Sequence, residues 1–200
     1  MIPTLYEKFQ PWSRTGSIYI ISDTHFEDEF CKDRDLNWIS PEEQIGILKK
    51  VLTKQDSLIH LGDVGNPDYL DELKCYKILI TGNHDKKGEM KNHFQEMYDG
   101  PLFISDKLLL SHEPIYGLEK FCFNIHGHNH SGTHFTYNTT LNYFTHLNMA
   151  ANVSEYQPVN LGKFIKAGYL NKMSNYHRLT IDNALDKKGD FKNDPHKRTN

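Results

Sequence analysis

The sequence predicts an α/β layered fold. Two observations carry that prediction. Apolar runs of strand length alternate with segments of helical spacing, and five of the runs end in a short polar block. At 200 residues and 38% apolar content, the chain is long enough for one domain with its own core.

The elements follow in order. Residues 1–16 are a lead-in punctuated by Pro3, Pro11 and Gly16. The run Ser17-Ile18-Tyr19-Ile20-Ile21 opens a first strand at 17–22. Residues 26–40 are polar and irregular. Ser40-Pro41-Glu42-Glu43 then starts a helix, with Ser at the N-cap, Pro at the first position and acids in the first turn. Over 41–54, Ile45, Leu48 and Leu52 share one face, widened by Ile47 and Val51. A strand at 57–61 and a short helix at 67–73, capped by Asn66, come next. A strand at 75–81 precedes a helical stretch at 86–98. Strands at 102–105 and 107–111 flank a turn at Ser105-Asp106. Another strand covers 121–126, and 131–144 is an aromatic, polar loop. A strand at 145–154, a helical pattern at 160–169 and a last strand at 176–182 complete a domain spanning 1–182. The tail 183–200 is charged and poor in apolar residues, a composition that favours fraying or disorder.

A net charge of −3 argues against strong nonspecific nucleic-acid binding, although bound cations can supply local positive charge to a nuclease. Cys31, Cys75 and Cys122 are odd in number and lack C-x-x-C spacing, so no disulfide framework is expected. The first ten residues hold no apolar stretch of signal-peptide type, and no run approaches membrane-spanning length. A cytoplasmic protein without a membrane partner or obligate protein partner is expected.

The chemistry sits in the polar blocks: Asp23-Thr24-His25, Gly62-Asp63, Gly82-Asn83-His84-Asp85, Ser111-His112-Glu113-Pro114 and Gly127-His128-Asn129-His130. Each follows an apolar run, so strand ends would carry them to one edge of a sheet. Asp23 and His25 share a side of an extended chain by the two-residue repeat, and His128 and His130 repeat that spacing. Taken alone, Gly62-Asp63 is an ordinary turn and His112 a structural histidine. The Asn83 amide oxygen can bind a metal while its nitrogen faces a phosphate, and Asp85 can fix the tautomer of neighbouring His84. Together the carboxylates, amide and imidazoles suit two transition-metal ions, the equipment for attack on a phosphate ester. By strand parity His60 and His126 face away and are structural.

The series D-x-H, G-D, G-N-H-D, H and G-H-x-H, from about Ile18 to His130, resembles the calcineurin-like metallophosphoesterase superfamily. Within it the chain looks like the small single-domain bacterial and phage phosphoesterases, whose Ser-Asp-Thr-His-Phe and His-Leu-Gly-Asp wording stands here at 22–26 and 60–63. Tyr156-Gln157-Pro158-Val159 matches a closing strand. The resemblance implies two packed mixed β-sheets flanked by helices. It places one metal on Asp23, His25, Asp63 and His130, and a second on Asp63, Asn83, His112 and His128. Asp63 would bridge together with a water or hydroxide, and His84, partnered by Asp85, would lie by the leaving group. The chain departs from the superfamily's phosphoprotein phosphatases: no Arg closely follows Gly62-Asp63, and Asp85 stands where they have Glu. A Ser/Thr protein phosphatase is therefore disfavoured.

The expected activity is dinuclear metal-dependent phosphodiester hydrolysis with His84 assisting departure. A phosphomonoesterase acting on a nucleotide or other small ester, and an inactive scaffold of the same fold, are the alternatives. The donor set favours Mn²⁺, with Fe, Zn²⁺ and Ni²⁺ as alternatives, over Mg²⁺. The substrate is a phosphate ester, with nucleotides and nucleic acids among the candidates. Lys32 and Arg34 could contact phosphate, but solvated surface charge is the preferred reading. Phe135, Tyr137, Tyr143 and Phe144 could stack a base, although packing onto the core is preferred.

Overall fold

The structure is a computed structural model that describes residues 1–34 and 38–174, apart from the side chains of Phe30 and Arg34. The strand expected at 176–182 and the tail 183–200 fall outside the described residues, as does the Arg34 side chain.

Two five-stranded sheets pack face to face. The first holds β1 (Ile18–Ile21), β2 (Ser57–His60), β3 (Tyr76–Ile80) and β4 (Glu96–Tyr98), all parallel, with β10 (Val159–Asn160) antiparallel on the free edge of β1. The second runs in the order β5 (Leu102–Ser105), β6 (Leu108–Leu110), β7 (Phe123–His126), β9 (Tyr143–Asn148), β8 (Phe135–Asn138). Its three central strands are parallel and both edge strands antiparallel. Strand parity sorts the first sheet into two faces. Ile18, Ile20, Ile59, Leu61, Ile78 and Ile80 meet Leu108, Leu110, Phe123, Ile125 and Leu147 of the second sheet in the inter-sheet core. Ile21, Leu58 and Leu79 face outward under α2 (Pro41–Val51), where Ile45 and Leu48 cover them. A parallel sheet covered on both sides explains why its strands read as unbroken apolar runs.

Helix α2 begins as expected: Ser40 Oγ accepts from Glu43 N at 3.2 Å, and Glu43 Oε2 accepts from Ser40 N at 3.0 Å. It stops at Val51, three residues short of the expected end, because Leu52 is already extended. Asn66 caps a 3₁₀ segment at Pro67–Glu72, and Asn160 caps α4 (Leu161–Lys166). The lead-in is more ordered than its prolines suggest. Glu7–Ser13 form a 3₁₀ turn that buries Phe9 and Trp12 in the inter-sheet core.

Four expectations are corrected. A short helix, α1 (Glu29–Arg34), stands in the segment expected to be irregular. The helical stretch at 86–98 is only α3 (Lys87–Met90), and its remainder includes β4. The strand expected at 145–154 begins earlier and ends at Asn148, with turns beyond. The aromatic loop 131–144 contains β8, which pairs antiparallel with β9. There Phe135, stacked on Tyr169, and Tyr143 pack against the core as expected, whereas Tyr137 and Phe144 stay exposed, Phe144 edge-on to Phe135. Lys32 pairs with Glu29 at 3.7 Å and lies over the Trp38 ring, which keeps it on the surface. Cys31, Cys75 and Cys122 are free thiols.

Candidate metal centre

The five polar blocks lie beyond the C-terminal ends of β1, β2, β3, β6 and β7, where parallel strands of both sheets open onto one edge. The pleat does not aim the side chains, as the two-residue spacing had suggested. Asp23, His25, Asp63 and His128 take left-handed backbone angles, with φ of 53°, 43°, 54° and 66°. Such angles are costly for residues with a Cβ and cluster where function demands them. Turns after the strands, not alternation along them, bring the side chains together.

Two donor groups form, each with its ligand atoms within 4.8 Å of one another: Asp23, His25 and His130, and Asp63, His112 and His128. Asp63 lies between them. Its Oδ2 is 3.7 Å from His25 Nε2 and 3.3 Å from His112 Nε2, while its Oδ1 accepts from His84 N at 2.9 Å. Asp23 Oδ1 is 3.4 Å from His130 Nε2 and its Oδ2 accepts from His128 N at 2.8 Å. On the other side Asn83 Oδ1 lies 2.8 Å from His112 Nε2 and 3.1 Å from His128 Nδ1. All seven side chains that the sequence singled out as ligands are thus gathered.

The donor atoms suit cations. His25 Nε2 is buried with no hydrogen-bond partner and Asp23 Oδ1 is buried with only the His130 ring beside it, a costly state for polar atoms that a metal relieves. Leu61 O accepts from His112 Nδ1 at 2.9 Å, which leaves Nε2 as the ring nitrogen facing Asp63 and Asn83. Two glycines make room. A Cβ at Gly82 would stand 2.2 Å from Asp63 Oδ1, and one at Gly127 would stand 2.1 Å from Asp23 Oδ2.

Charges inside the cluster are tightly coupled. Burial alone would raise the Asp63 carboxyl, but contact with His112 and the His84 amide pulls it down to about 2. Burial works against the His112 cation, yet Asp63 and Asp23 push that group up to about 8. Contact with Asp23 raises His130, and burial lowers His25 despite the carboxylates of Asp23, Asp63 and Asp28 near it.

His84 stands exposed at the rim, its ring centroid 5.8 Å from that of His25. Asp85 does not partner it. The Asp85 carboxylate accepts instead from Gly82 N at 2.8 Å, Asp63 N at 3.0 Å and Val64 N at 2.9 Å, clasping the loops after β2 and β3. His60 and His126 are structural, as expected. His60 Nδ1 accepts from Gly62 N and Nε2 contacts Thr24 Oγ1, and His126 Nδ1 donates to Gly127 O. Burial lowers each to about 4, so both are neutral near pH 7. Sequence reasoning missed Asp28, whose Oδ2 lies 3.1 Å from His25 Nδ1. An acid three residues after a candidate ligand, ahead of a helix start, was the available signal.

A profile of the calcineurin-like phosphoesterase superfamily domain matches residues 17–149. The chain belongs to the calcineurin-like phosphoesterase superfamily. The superfamily domain spans every block of the centre. Among solved structures, the protein of unknown function AQ665 from Aquifex aeolicus superposes with a TM-score of 0.60 at 28% identity, covering 76% of this chain and 98% of that one. A conserved Streptococcus pneumoniae TIGR4 protein described as a predicted phosphoesterase gives 0.35 at 15% identity, covering 66% and 70%. No curated protein matches the chain. Among the described residues, no helix is long and apolar enough to cross a membrane.

Proposed function

We propose that the protein is a dinuclear metal-dependent phosphodiesterase. The observation that carries this reading is the position of Asp63 between two donor groups, with Asp23, His25 and His130 on one side and Asn83, His112 and His128 on the other. Mixed imidazole, carboxylate and amide donors favour Mn²⁺, with Fe, Zn²⁺ and Ni²⁺ as alternatives. Divalent ions held there supply Lewis acidity at phosphorus and a water acidic enough to attack near neutral pH.

The chain's own groups do the rest. The Asn83 amide nitrogen donates to a phosphoryl oxygen as charge develops there. His84, anchored through its backbone to Asp63, donates a proton to the departing oxygen, an effect typically worth ~10²–10⁴-fold. Asp85 sets the loop geometry that holds Asp63 and Gly82 in place.

Two features favour a diester over a monoester. Among the described residues lining the cavity beside Asn83 and His112 none is Lys or Arg, so no fixed side-chain cation there waits for the second charge of a monoester. That cavity, of about 320 Å³, is lined by Thr81, Pro101, Glu113, Pro114 and Ile115 as well. It gives the second ester substituent a place, and Glu113 adds an acid to its wall.

The test strips the protein of metal, restores Mn²⁺ and compares bis-p-nitrophenyl phosphate with p-nitrophenyl phosphate. Diester turnover should exceed monoester turnover, collapse in Asp63→Ala and fall ~10²–10⁴-fold in His84→Ala. Monoester preference would replace the diester reading, and metal-loaded protein inert toward both would contradict it.

A further inference from the structure

We propose that Asp28 is a positioning residue for the metal centre, holding His25 so that its Nε2 faces the ions. The inference rests on the metal reading above. His25 is 5% exposed, and its two ring nitrogens have different surroundings. Nδ1 lies 3.1 Å from Asp28 Oδ2, whereas Nε2 is buried, lacks a hydrogen-bond partner and points toward Asp63. A carboxylate only accepts, so the Nδ1 proton goes to Asp28 and Nε2 keeps its lone pair for a metal. His112 uses the same device, with Leu61 O in the place of the carboxylate.

Asp28 is itself fixed. It precedes α1 and acts as that helix's cap: Cys31 N donates to Oδ1 at 3.4 Å, and Lys32 N donates to the Asp28 carbonyl at 3.1 Å. Asp28 N donates back to His25 O at 3.0 Å, closing a turn between cap and ligand. The start of a short helix thus determines which nitrogen of His25 is presented. Cys31 Sγ, 3.7 Å from Asp28 Oδ2, completes a further donor group of His25, Asp28 and Cys31. Positioning and metal uptake by that trio therefore make different predictions.

The two roles of Asp28 separate in Asp28→Ser, which keeps a good helix cap but is too short to reach Nδ1. Calorimetric titration of metal-free protein with Mn²⁺ should show two ions in the wild type. In Asp28→Ser one of them should bind about 10–100-fold more weakly, with the other unchanged and the metal-free melting temperature preserved. Asp28→Asn, which still reaches and still accepts, should restore part of the loss. Nitrogen NMR of the metal-free protein should show a His25 proton on Nδ1 in the wild type and lose that preference in Asp28→Ser, a change that a mere cap would not cause. Wild-type affinity in Asp28→Ser overturns the proposal, as does a loss of both ions together with the melting temperature. Three ions in the wild type and two in Cys31→Ala would also overturn it, by making the trio a metal site. A wild type that takes up no ion sinks this proposal and the proposed function alike. Failure of the Asp28 variants alone leaves the proposed function standing.

Discussion

At the scale of single residues, the centre is bought with backbone strain. His128 is exposed and sits at φ 66°, so replacing it tests strain with little loss of packing. In metal-free protein, His128→Gly should be more stable than His128→Ala by about 1 kcal/mol in urea unfolding. Equal stability would mean that the left-handed turn costs nothing. Gly127 makes a complementary prediction. A methyl there meets Asp23 Oδ2 and Ser22 Oγ, both within 2.1 Å. Gly127→Ala should therefore weaken metal binding at the Asp23 group even though no ligand is removed, which metal titration would reveal. The identities of the ligands were legible because carboxylate, amide and imidazole recur after apolar runs. Their geometry was not, because the sequence does not announce that Asp23, His25 and Asp63 leave the extended conformation. Asp85 shows the same limit: adjacency to His84 in sequence suggested a pair, and the turn sends its carboxylate to three backbone amides instead.

At the scale of elements, carboxylates hold loops to strands. Asp85→Ala should destabilise the fold by ~1–3 kcal/mol, because three N–H groups lose their acceptor, whereas His84→Ala should leave stability within experimental error. Denaturant unfolding of the two variants would distinguish the clasp from a partner of His84. Asp56 plays a similar part at the base of the first sheet. It accepts from Thr53 N at 2.8 Å, Thr53 Oγ1 at 2.7 Å and Ser17 N at 2.7 Å. Burial alone would raise its carboxyl, but these bonds outweigh burial and hold it below the usual range. Its folded pKa is depressed, so its contribution is fully present above the unfolded value of roughly 3.9 and fades as pH falls through the folded value. Asp56→Asn should lose stability at pH 7 and lose less as pH drops below 4, as unfolding curves at several pH values would show. Helix α2 was legible to its first residue because a capping box is a local signal. Strand β8 was hidden because it is only four residues long and gains its pairing from β9. The helical reading of 86–98 failed where β4 is recruited by parallel pairing with β3, a contact no local pattern encodes.

At the scale of the whole molecule, each sheet supplies part of the centre and neither supplies it all. Asp23, His25, Asp63 and Asn83 come from the first sheet, and His112, His128 and His130 from the second. The inter-sheet core of Ile18, Ile59, Ile78, Leu108, Phe123 and Ile125 fixes how the two sets face one another. The alternation of strands and helices announced an α/β fold, while the division into two sheets rested on resemblance to a family, since periodicity does not say which strands pair. Asp63 spans the seam between the two donor groups, so the account stands or falls on it. The most direct measurement is elemental analysis of metal per chain after stripping, Mn²⁺ reconstitution and desalting, for the wild type and Asp63→Ala. The account predicts two ions per wild-type chain and a loss of at least one in Asp63→Ala. A wild type holding one ion or none, or an Asp63→Ala variant holding two, would contradict it.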